Sequence, residues 1–173
     1  MTAHEHGAAA LDAPGPFDPS DVTWTPVSGR LATARLTSTG IVLVIALVAT
    51  ATPAVLSGLP WLWSLPAVVV LCGVWAALLI PRQVRALAYA ERADDLLIRR
   101  GIMLRSLVVV PYGRMQYVDV TAGPLARRFQ IASVQLHTAA PGTNATIDGL
   151  PPHEAARLRD RLASRGEARL AGL

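Results

Sequence analysis

The side chains able to support catalysis or metal binding are few and scattered along this 173-residue chain. Asp94 and Asp95 are adjacent carboxylates, His137 lies in a strand-like segment, and His4 and His6 flank one acid near the N-terminus. Adjacent acids between two apolar segments are typical of a turn, and no nucleophile accompanies His137 to make it a general base. The motifs G-x-x-x-x-G-K-[ST], G-x-S-x-G, H-E-x-x-H and C-x-x-C are absent. The sequence therefore predicts no enzyme activity, no metal site and no cofactor.

Arginine is the more informative residue type, because all sixteen basic side chains are Arg and the formal net charge is +4. Residues 82–130 hold nine of these arginines against four acids. Such a positive surface predicts contact with membrane lipids, since each Arg near an anionic leaflet contributes about 1 kcal/mol. The same arginines also serve topology and solubility, and both interpretations stay open at this point. Nucleic acid is not an expected partner, because the arginines are not interleaved with exposed aromatic residues.

The apolar residues are concentrated in one segment, residues 36–80, which contains no Asp, Glu, Lys or Arg. One spanning helix needs about 20 apolar residues, so the segment predicts two spans, at 36–56 and 61–80. The turn Ser57-Gly58-Leu59-Pro60 between them is rich in helix breakers. Because no acidic or basic side chain lies within the spans, a transporter or pump mechanism inside the hairpin is not expected. The single cysteine, Cys72, is expected to be an inert packing residue.

Arginines flank both predicted spans, and none lies in the turn between them. Arg30 and Arg35 precede the first span, whereas Arg82 and Arg85 follow the second. Positive residues favour the cytoplasmic side of a membrane. We therefore expect a multi-pass protein with both termini in the cytoplasm.

After the second span the apolar pattern changes from continuous to alternating. Short apolar segments separated by Gly, Pro and Asp predict six or seven strands in a small sandwich or barrel. The expected strands cover residues 86–91, 96–100, 103–110, 115–121, 131–138 and 146–147.

An amphipathic helix follows the strands, beginning at Pro151-Pro152. Ala155, Leu158 and Leu162 form one apolar stripe, and Gly166 is a suitable C-terminal stop. This helix is expected to cover one end of the β structure. The predicted organisation is a flexible tail (1–29), a transmembrane hairpin (30–85), a β domain with its helix (86–166) and a C-terminal tail (167–173).

One stretch of the β region carries a recognisable pattern. Residues 110–120 read Val-Pro-Tyr-Gly-Arg-Met-Gln-Tyr-Val-Asp-Val, which contains Pro-Tyr-x-Arg-x-Gln-x-Val. On this stretch, supported by 94–95, 99–101, 123–129 and 147–150, the chain resembles the bacterial pleckstrin-homology-like membrane proteins, the YdbS-like family. The resemblance runs from about Trp24 to Arg165. One position departs from it, because Gln130 stands where the family pattern has a glycine.

The resemblance implies a two-helix transmembrane hairpin followed by an all-β PH-like barrel or sandwich, closed by a C-terminal helix, in the bacterial plasma membrane. We expect a membrane-anchored interaction module without catalysis, which docks a cytoplasmic domain on the inner leaflet. It would bind a partner protein, a second copy of itself or anionic headgroups. The alternative is an accessory or pore-forming oligomeric subunit of an export or envelope-stress system. The candidate contact residues are Arg99, Arg100, Arg105, Arg114, Gln116, Arg127 and Arg128.

Overall fold

The computed structural model describes residues 19, 22–139 and 144–171, with side chains as far as Ala168. Its most extended feature is an antiparallel hairpin of helix α1 (Arg30–Ser57) and helix α2 (Ser64–Arg85). Gly58, with a φ of 65°, ends α1, and a short 3₁₀ helix at Pro60–Trp63 leads into α2. Both helices are long and apolar enough to cross a membrane. Most of their large apolar side chains are exposed, as a lipid-facing surface requires.

Within the hairpin, a glycine faces the opposite helix and hydroxyl side chains bond to the helix backbone. A Cβ atom on Gly73 would lie 3.2 Å from Leu43 Cδ1, so this glycine faces the other helix. The hydroxyls of Thr50 and Thr52 donate to carbonyls four residues earlier, at 2.8 and 2.7 Å. Polar groups in hydrocarbon must be satisfied within the protein. The polar side chains of α1 are therefore compatible with a membrane interior.

The β region consists of two antiparallel sheets that do not close into a barrel. The first sheet contains β1 (Thr25–Pro26), β2 (Ala88–Glu91), β3 (Asp95–Arg100) and β4 (Ser106–Pro111), in that order. The second contains β5 (Met115–Thr121), β6 (Ala132–Thr138) and β7 (Ala145–Leu150), in that order. Helix α3 (Pro124–Arg128) lies between β5 and β6, and helix α4 (Pro152–Ala171) follows β7. The PH-like architecture predicted from the sequence is confirmed, as a sandwich.

The main core lies between the two sheets and under α4. In β6, buried residues alternate with less buried ones from Ala132 to Thr138, as expected of a strand with one face on a core. The stripe predicted for the last helix, Ala155, Leu158 and Leu162, is completely buried against the sheets. Helix α4 therefore covers the sandwich with the face that the sequence indicates.

The chain ends of the domain differ from the prediction. Residues 1–29 were expected to form a tail, but Thr25 and Pro26 pair with Tyr89 and Ala88 of β2. Residues 1–18 and 20–21 of the predicted tail lie outside the described residues. At the other end, α4 continues past Gly166 to Ala171 instead of stopping. A Cβ atom added at Gly166 would lie 3.9 Å from the Tyr112 carbonyl oxygen, an ordinary van der Waals distance, so this position neither ends the helix nor requires a glycine for packing.

Two local predictions in the β region also differ from the structure. The strand expected at 103–110 begins only at Ser106, because Gly101 adopts a φ of 96° and residues 101–105 form the turn before it. The segment after β5 was expected to be a simple break, but Pro124 begins the five-residue helix α3. Both elements lie at the end of the sandwich nearest the hairpin, where they shape the candidate site.

A second, smaller core attaches the hairpin to the sandwich. Leu31 and Ala34 of α1 and Val84 of α2 are buried together with Ile131 at the start of β6. The Ser28 amide donates to the Gly149 carbonyl at 2.9 Å. Outside the core, Arg35 Nη2 and Asp148 Oδ2 form an ion pair of 3.2 Å. The base of the hairpin and the β domain are therefore packed as one unit.

A polar network holds α4 against β2. Arg157 donates to Glu91 at 3.0 Å and to Glu154 at 2.6 Å, while Arg161 donates to the other Glu91 oxygen at 3.0 Å. The Tyr89 hydroxyl donates to Glu154 at 2.9 Å, and burial, reinforced by this acidic neighbour, raises the pKa of Tyr89 to about 12. The hydrogen bond from Arg157 lowers the pKa of Glu154. This network complements the apolar stripe of the helix.

We predict that Gly149→Ala destabilises the protein. Gly149 has a φ of 79°, and an added Cβ would lie 2.7 Å from Leu31 Cβ, so backbone strain and a clash with α1 act together. A loss of about 1–3 kcal/mol is expected, measured as a fall in Tm of the full chain in detergent. Gly113→Ala is the control, because a Cβ there meets no atom within 4 Å. Equal Tm values for the two variants would contradict the close packing of β7 on α1.

We also predict an acid-dependent contribution from Glu154. Because its pKa is lowered from 4.5 in the folded protein, its ionised form stabilises the fold at higher pH. This stabilisation is lost as the pH falls below 4.5 through the folded-state pKa. The Tm difference between wild type and Glu154→Gln should therefore be full at neutral pH and shrink in acid. Glu167→Gln on the same helix is the control, and a pH-independent difference for Glu154→Gln would refute the prediction.

Candidate functional site

The candidate site lies at the end of the sandwich from which the hairpin leaves. Strands β3 and β4 are antiparallel, so Arg100 faces Ser106 at one end and Asp95 faces Pro111 at the other. The last turn of α2 lies beside the Arg100 end, where it lines a cavity together with the β3–β4 turn. We call this the hairpin end of the domain and the opposite one the distal end.

Four arginines from three parts of the chain surround that cavity, which has a volume of about 400 Å³. Arg82 and Arg85 come from the last turn of α2, Arg99 from β3 and Arg105 from the turn before β4. We call these four residues the α2 cluster. The guanidinium of Arg99 lies over the ring of Trp24, 4.7 Å from its centroid, which holds one wall of the cavity in place.

Three further arginines lie on the other side of the hairpin end. Arg30, Arg127 and Arg128 line an open groove with Phe129 and Gln130, and we call these arginines the α3 cluster. Arg30 Nη1 donates to Gln130 Oε1 at 3.1 Å. Gln130 has a φ of 52°, a left-handed conformation that favours glycine. The departure from the family pattern thus occurs where the backbone suits glycine, and the glutamine side chain orients an arginine instead.

Most arginines of the two clusters carry uncompensated charge. Among the described residues, no carboxylate forms an ion pair with the following five arginines: Arg82, Arg85, Arg105, Arg127 and Arg128. On α4, by contrast, Arg157, Arg159 and Arg161 each lie within 3.0 Å of an acid. Arginine binds phosphate and carboxylate through parallel N–H donors. The hairpin end is therefore suited chemically to bind anions.

The structure brings together only part of the predicted contact set. Arg99 and Arg105 lie in the α2 cluster, and Arg127 and Arg128 in the α3 cluster. The remaining three lie elsewhere: Arg100, Arg114 and Gln116.

Their placement has a simple structural cause. Arg100 donates to the Thr146 carbonyl at 3.3 Å and so connects the two sheets. Arg114 and Gln116 follow Pro111, and they lie at the distal end because β4 runs away from the hairpin.

Sequence reasoning missed three of the seven clustered arginines as site residues. Arg30, Arg82 and Arg85 were interpreted only as topology signals flanking the spans. The spacing of Arg82 and Arg85, three apart at the end of a helix, places them on one face. That spacing predicts that the two side chains point in the same direction. It does not predict that they share a cavity with the β3–β4 turn.

The residues considered for catalysis have structural roles. Asp94 lies in the turn before β3, where its carbonyl accepts from the Tyr112 amide at 3.0 Å, and Asp95 is the first residue of β3. The His137 ring stacks on Tyr117 with centroids 4.3 Å apart. His4 and His6 lie outside the described residues. Within the described residues, no group of three or more His, Cys, Asp or Glu is arranged to hold a metal ion.

The Pro-Tyr-x-Arg stretch also supports the fold. Tyr112 is completely buried at the distal end. Its hydroxyl donates to the Arg92 carbonyl at 3.1 Å and accepts from Arg165 at 2.9 Å. Burial raises the pKa of Tyr112. The most characteristic motif of the sequence therefore joins the β4–β5 connection to α4 and does not form part of the arginine clusters.

Comparison with known proteins agrees with this architecture. The family model "Bacterial PH domain" matches residues 30–166, which include the hairpin, the strands from β2 onward and most of α4. The UPF0699 transmembrane protein YdbS of Bacillus subtilis (strain 168) is 37% identical over 75 residues, covering 43% of this chain and 46% of the relative. The aligned part of the chain thus spans about half the length of that curated relative. No solved structure gives a significant match. On the match to the family model, this transmembrane chain belongs to the bacterial PH domain family.

Proposed function

We propose that this protein is a membrane-anchored, non-catalytic PH-like module that docks its β domain on the inner leaflet of the bacterial plasma membrane. The docking contacts are anionic lipid headgroups, bound by the α2 and α3 clusters. The observation that carries the proposal is the position of both clusters at the hairpin end, on either side of the helices that enter the lipid.

The length of α1 supports this placement. Its 28 residues extend about 42 Å at 1.5 Å per residue, whereas the hydrocarbon core is about 30 Å thick. The excess lies at the N-terminal end, where Leu31 and Ala34 pack into the smaller core. The helix therefore leads from lipid directly into the β domain, and the clusters lie at headgroup level.

The charge distribution supports a cytoplasmic location for both termini and for the domain. Arg30, Arg35, Arg82 and Arg85 lie at the domain end of the hairpin, and the turn at the other end carries no charge. Positive residues are retained on the cytoplasmic side, and the inner leaflet is the anionic one. Each clustered arginine near that surface adds up to about 1 kcal/mol of attraction.

The placement of the titratable residues supports a non-catalytic role. Asp94 and Asp95 lie in the turn before β3 and at the first position of β3, His137 is stacked on Tyr117, and Glu154 is paired with Arg157. None of these groups lines the cavity of the α2 cluster. The docking experiment distinguishes contacts with lipid from contacts with a partner protein or with a second copy of the chain.

We predict that anionic lipid protects the hairpin end of the domain in the full chain. Hydrogen exchange of the amides in residues 101–105 and α3 should be several-fold slower in nanodiscs with 30% phosphatidylglycerol than in pure phosphatidylcholine. The protection should decrease with added salt, because the attraction is screened. Arg127→Gln/Arg128→Gln should lose the protection of α3.

Arg114→Gln/Arg159→Gln is the matched control, because it removes the same charge from exposed positions outside the clusters. Equal exchange in the two lipids for wild type would refute headgroup docking. Protection that is independent of lipid but increases with protein concentration would instead identify contacts between copies.

A further inference from the structure

We propose that the cavity of the α2 cluster binds the phosphate of one anionic phospholipid, and that the apolar β3–β4 turn beside it inserts into the same leaflet. This inference rests on the proposed function and makes it specific, because it assigns one lipid-binding pocket within a broader electrostatic contact. The proposed ligand of the cavity is a membrane lipid and not a soluble phosphate compound.

The cavity has the size and charge of a phosphate site. Its volume of about 400 Å³ lies within the range of small-ligand pockets. Four guanidinium groups line it, and none of the described residues that line it is acidic. Like charges gathered around one cavity repel each other, and a bound anion with several acceptor oxygens relieves that repulsion.

The walls of the cavity are held in place by the fold. Arg99 is paired in the sheet with Ala88 on one side and Leu107 on the other, and its guanidinium rests on Trp24. Gly101 makes the tight turn possible, since a Cβ there would collide with the Leu104 carbonyl oxygen. That turn returns the chain so that Arg105 lines the same cavity as Arg99.

The turn itself exposes three consecutive apolar residues. Met103 and Leu104 are 95% and 91% exposed, and Ile102 is 40% exposed while also lining the cavity. Transfer of a large apolar side chain out of water is favourable. An apolar surface continuous with a cationic cavity matches the two parts of a phospholipid, the acyl chains and the phosphate.

The location of the turn favours a lipid over a soluble ligand. Arg82 and Arg85 mark the point where α2 leaves the apolar span, and they line the same cavity as Ile102. The turn is therefore next to the interface of the membrane. A soluble phosphate would use the arginines but would leave Met103 and Leu104 in water.

The pocket is tested by native mass spectrometry of the full chain released from detergent with titrated lipid. We expect a one-to-one phosphatidylglycerol adduct and at least tenfold weaker binding of phosphatidylcholine. Arg105→Gln and, separately, Arg85→Gln should each weaken phosphatidylglycerol binding at least fivefold. Arg159→Gln, which removes one charge from an exposed position outside both clusters, is the matched control and should bind like wild type. Unchanged binding by both pocket variants overturns the proposal.

Inorganic phosphate and glycerol 3-phosphate distinguish the source of the ligand. At millimolar concentration they should leave the phosphatidylglycerol adduct in place, because they lack the apolar part that the turn contacts. Displacement of the lipid by either compound overturns the commitment to a lipid.

Insertion of the turn is tested with a single-cysteine probe. Met103→Cys in a Cys72→Ala background, labelled with an environment-sensitive fluorophore in phosphatidylglycerol nanodiscs, should be quenched by lipids that carry a quencher on the acyl chain. Ser164→Cys, on the exposed side of α4, is the control and should not be quenched. Equal, weak quenching at both positions overturns insertion.

The pocket and the proposed function can fail separately. If the pocket variants bind phosphatidylglycerol normally while anionic lipid still protects α3 from exchange, only the proposal of a specific pocket fails and the proposed function stands.

Discussion

The arrangement of this protein depends on a small apolar contact between its two halves. Leu31, Ala34, Val84 and Ile131 are few, but they lie where both helices leave the span and where β6 begins. The connections on either side are short: three residues, 27–29, separate β1 from α1, and two residues, 86 and 87, separate α2 from β2. The sandwich therefore cannot swing away from the helices. The domain therefore keeps its hairpin end towards the bilayer.

The spans and the long strands could be predicted because their burial is periodic in the sequence. The uncharged segment is long enough for two helices, and Ala155, Leu158 and Leu162 form one helical stripe. Both features can be recognised from the local sequence pattern alone. The two-residue strand β1 has no pattern to detect, and its pairing with Tyr89 is a tertiary event. The turn after Gly101 was misassigned because Met103 and Leu104 continue an apolar run. Exposed apolar residues break the rule on which strand prediction relies.

The candidate site was predictable in composition but not in arrangement. The excess of arginine in residues 82–130 is visible in the sequence, and four of the seven proposed contact residues belong to the two arginine clusters. Arg114 was chosen because it lies in the motif-like stretch, yet the direction of β4 takes that stretch to the distal end. Arg82 and Arg85 reach the site only because α2 and the β3–β4 turn converge. Strand direction and helix docking depend on tertiary contacts, which the pattern of a single sequence does not reveal.

The two ends of the domain use arginine in opposite ways, and the difference has a physical consequence. At the distal end Arg165 donates to the Arg92 carbonyl and the Tyr112 hydroxyl, and along α4 Arg157 is paired with two acids, so these charges are satisfied within the protein. At the hairpin end, among the described residues, Arg82, Arg85, Arg105, Arg127 and Arg128 form no ion pair with an acid, so their charges repel each other. At physiological ionic strength, screening by salt limits that repulsion to about 8 Å, so the repulsion does not unfold the domain. If the domain docks on the inner leaflet as proposed, contact with the anionic surface removes the free-energy cost of this repulsion and makes binding more favourable than the sum of isolated surface charges on a neutral domain.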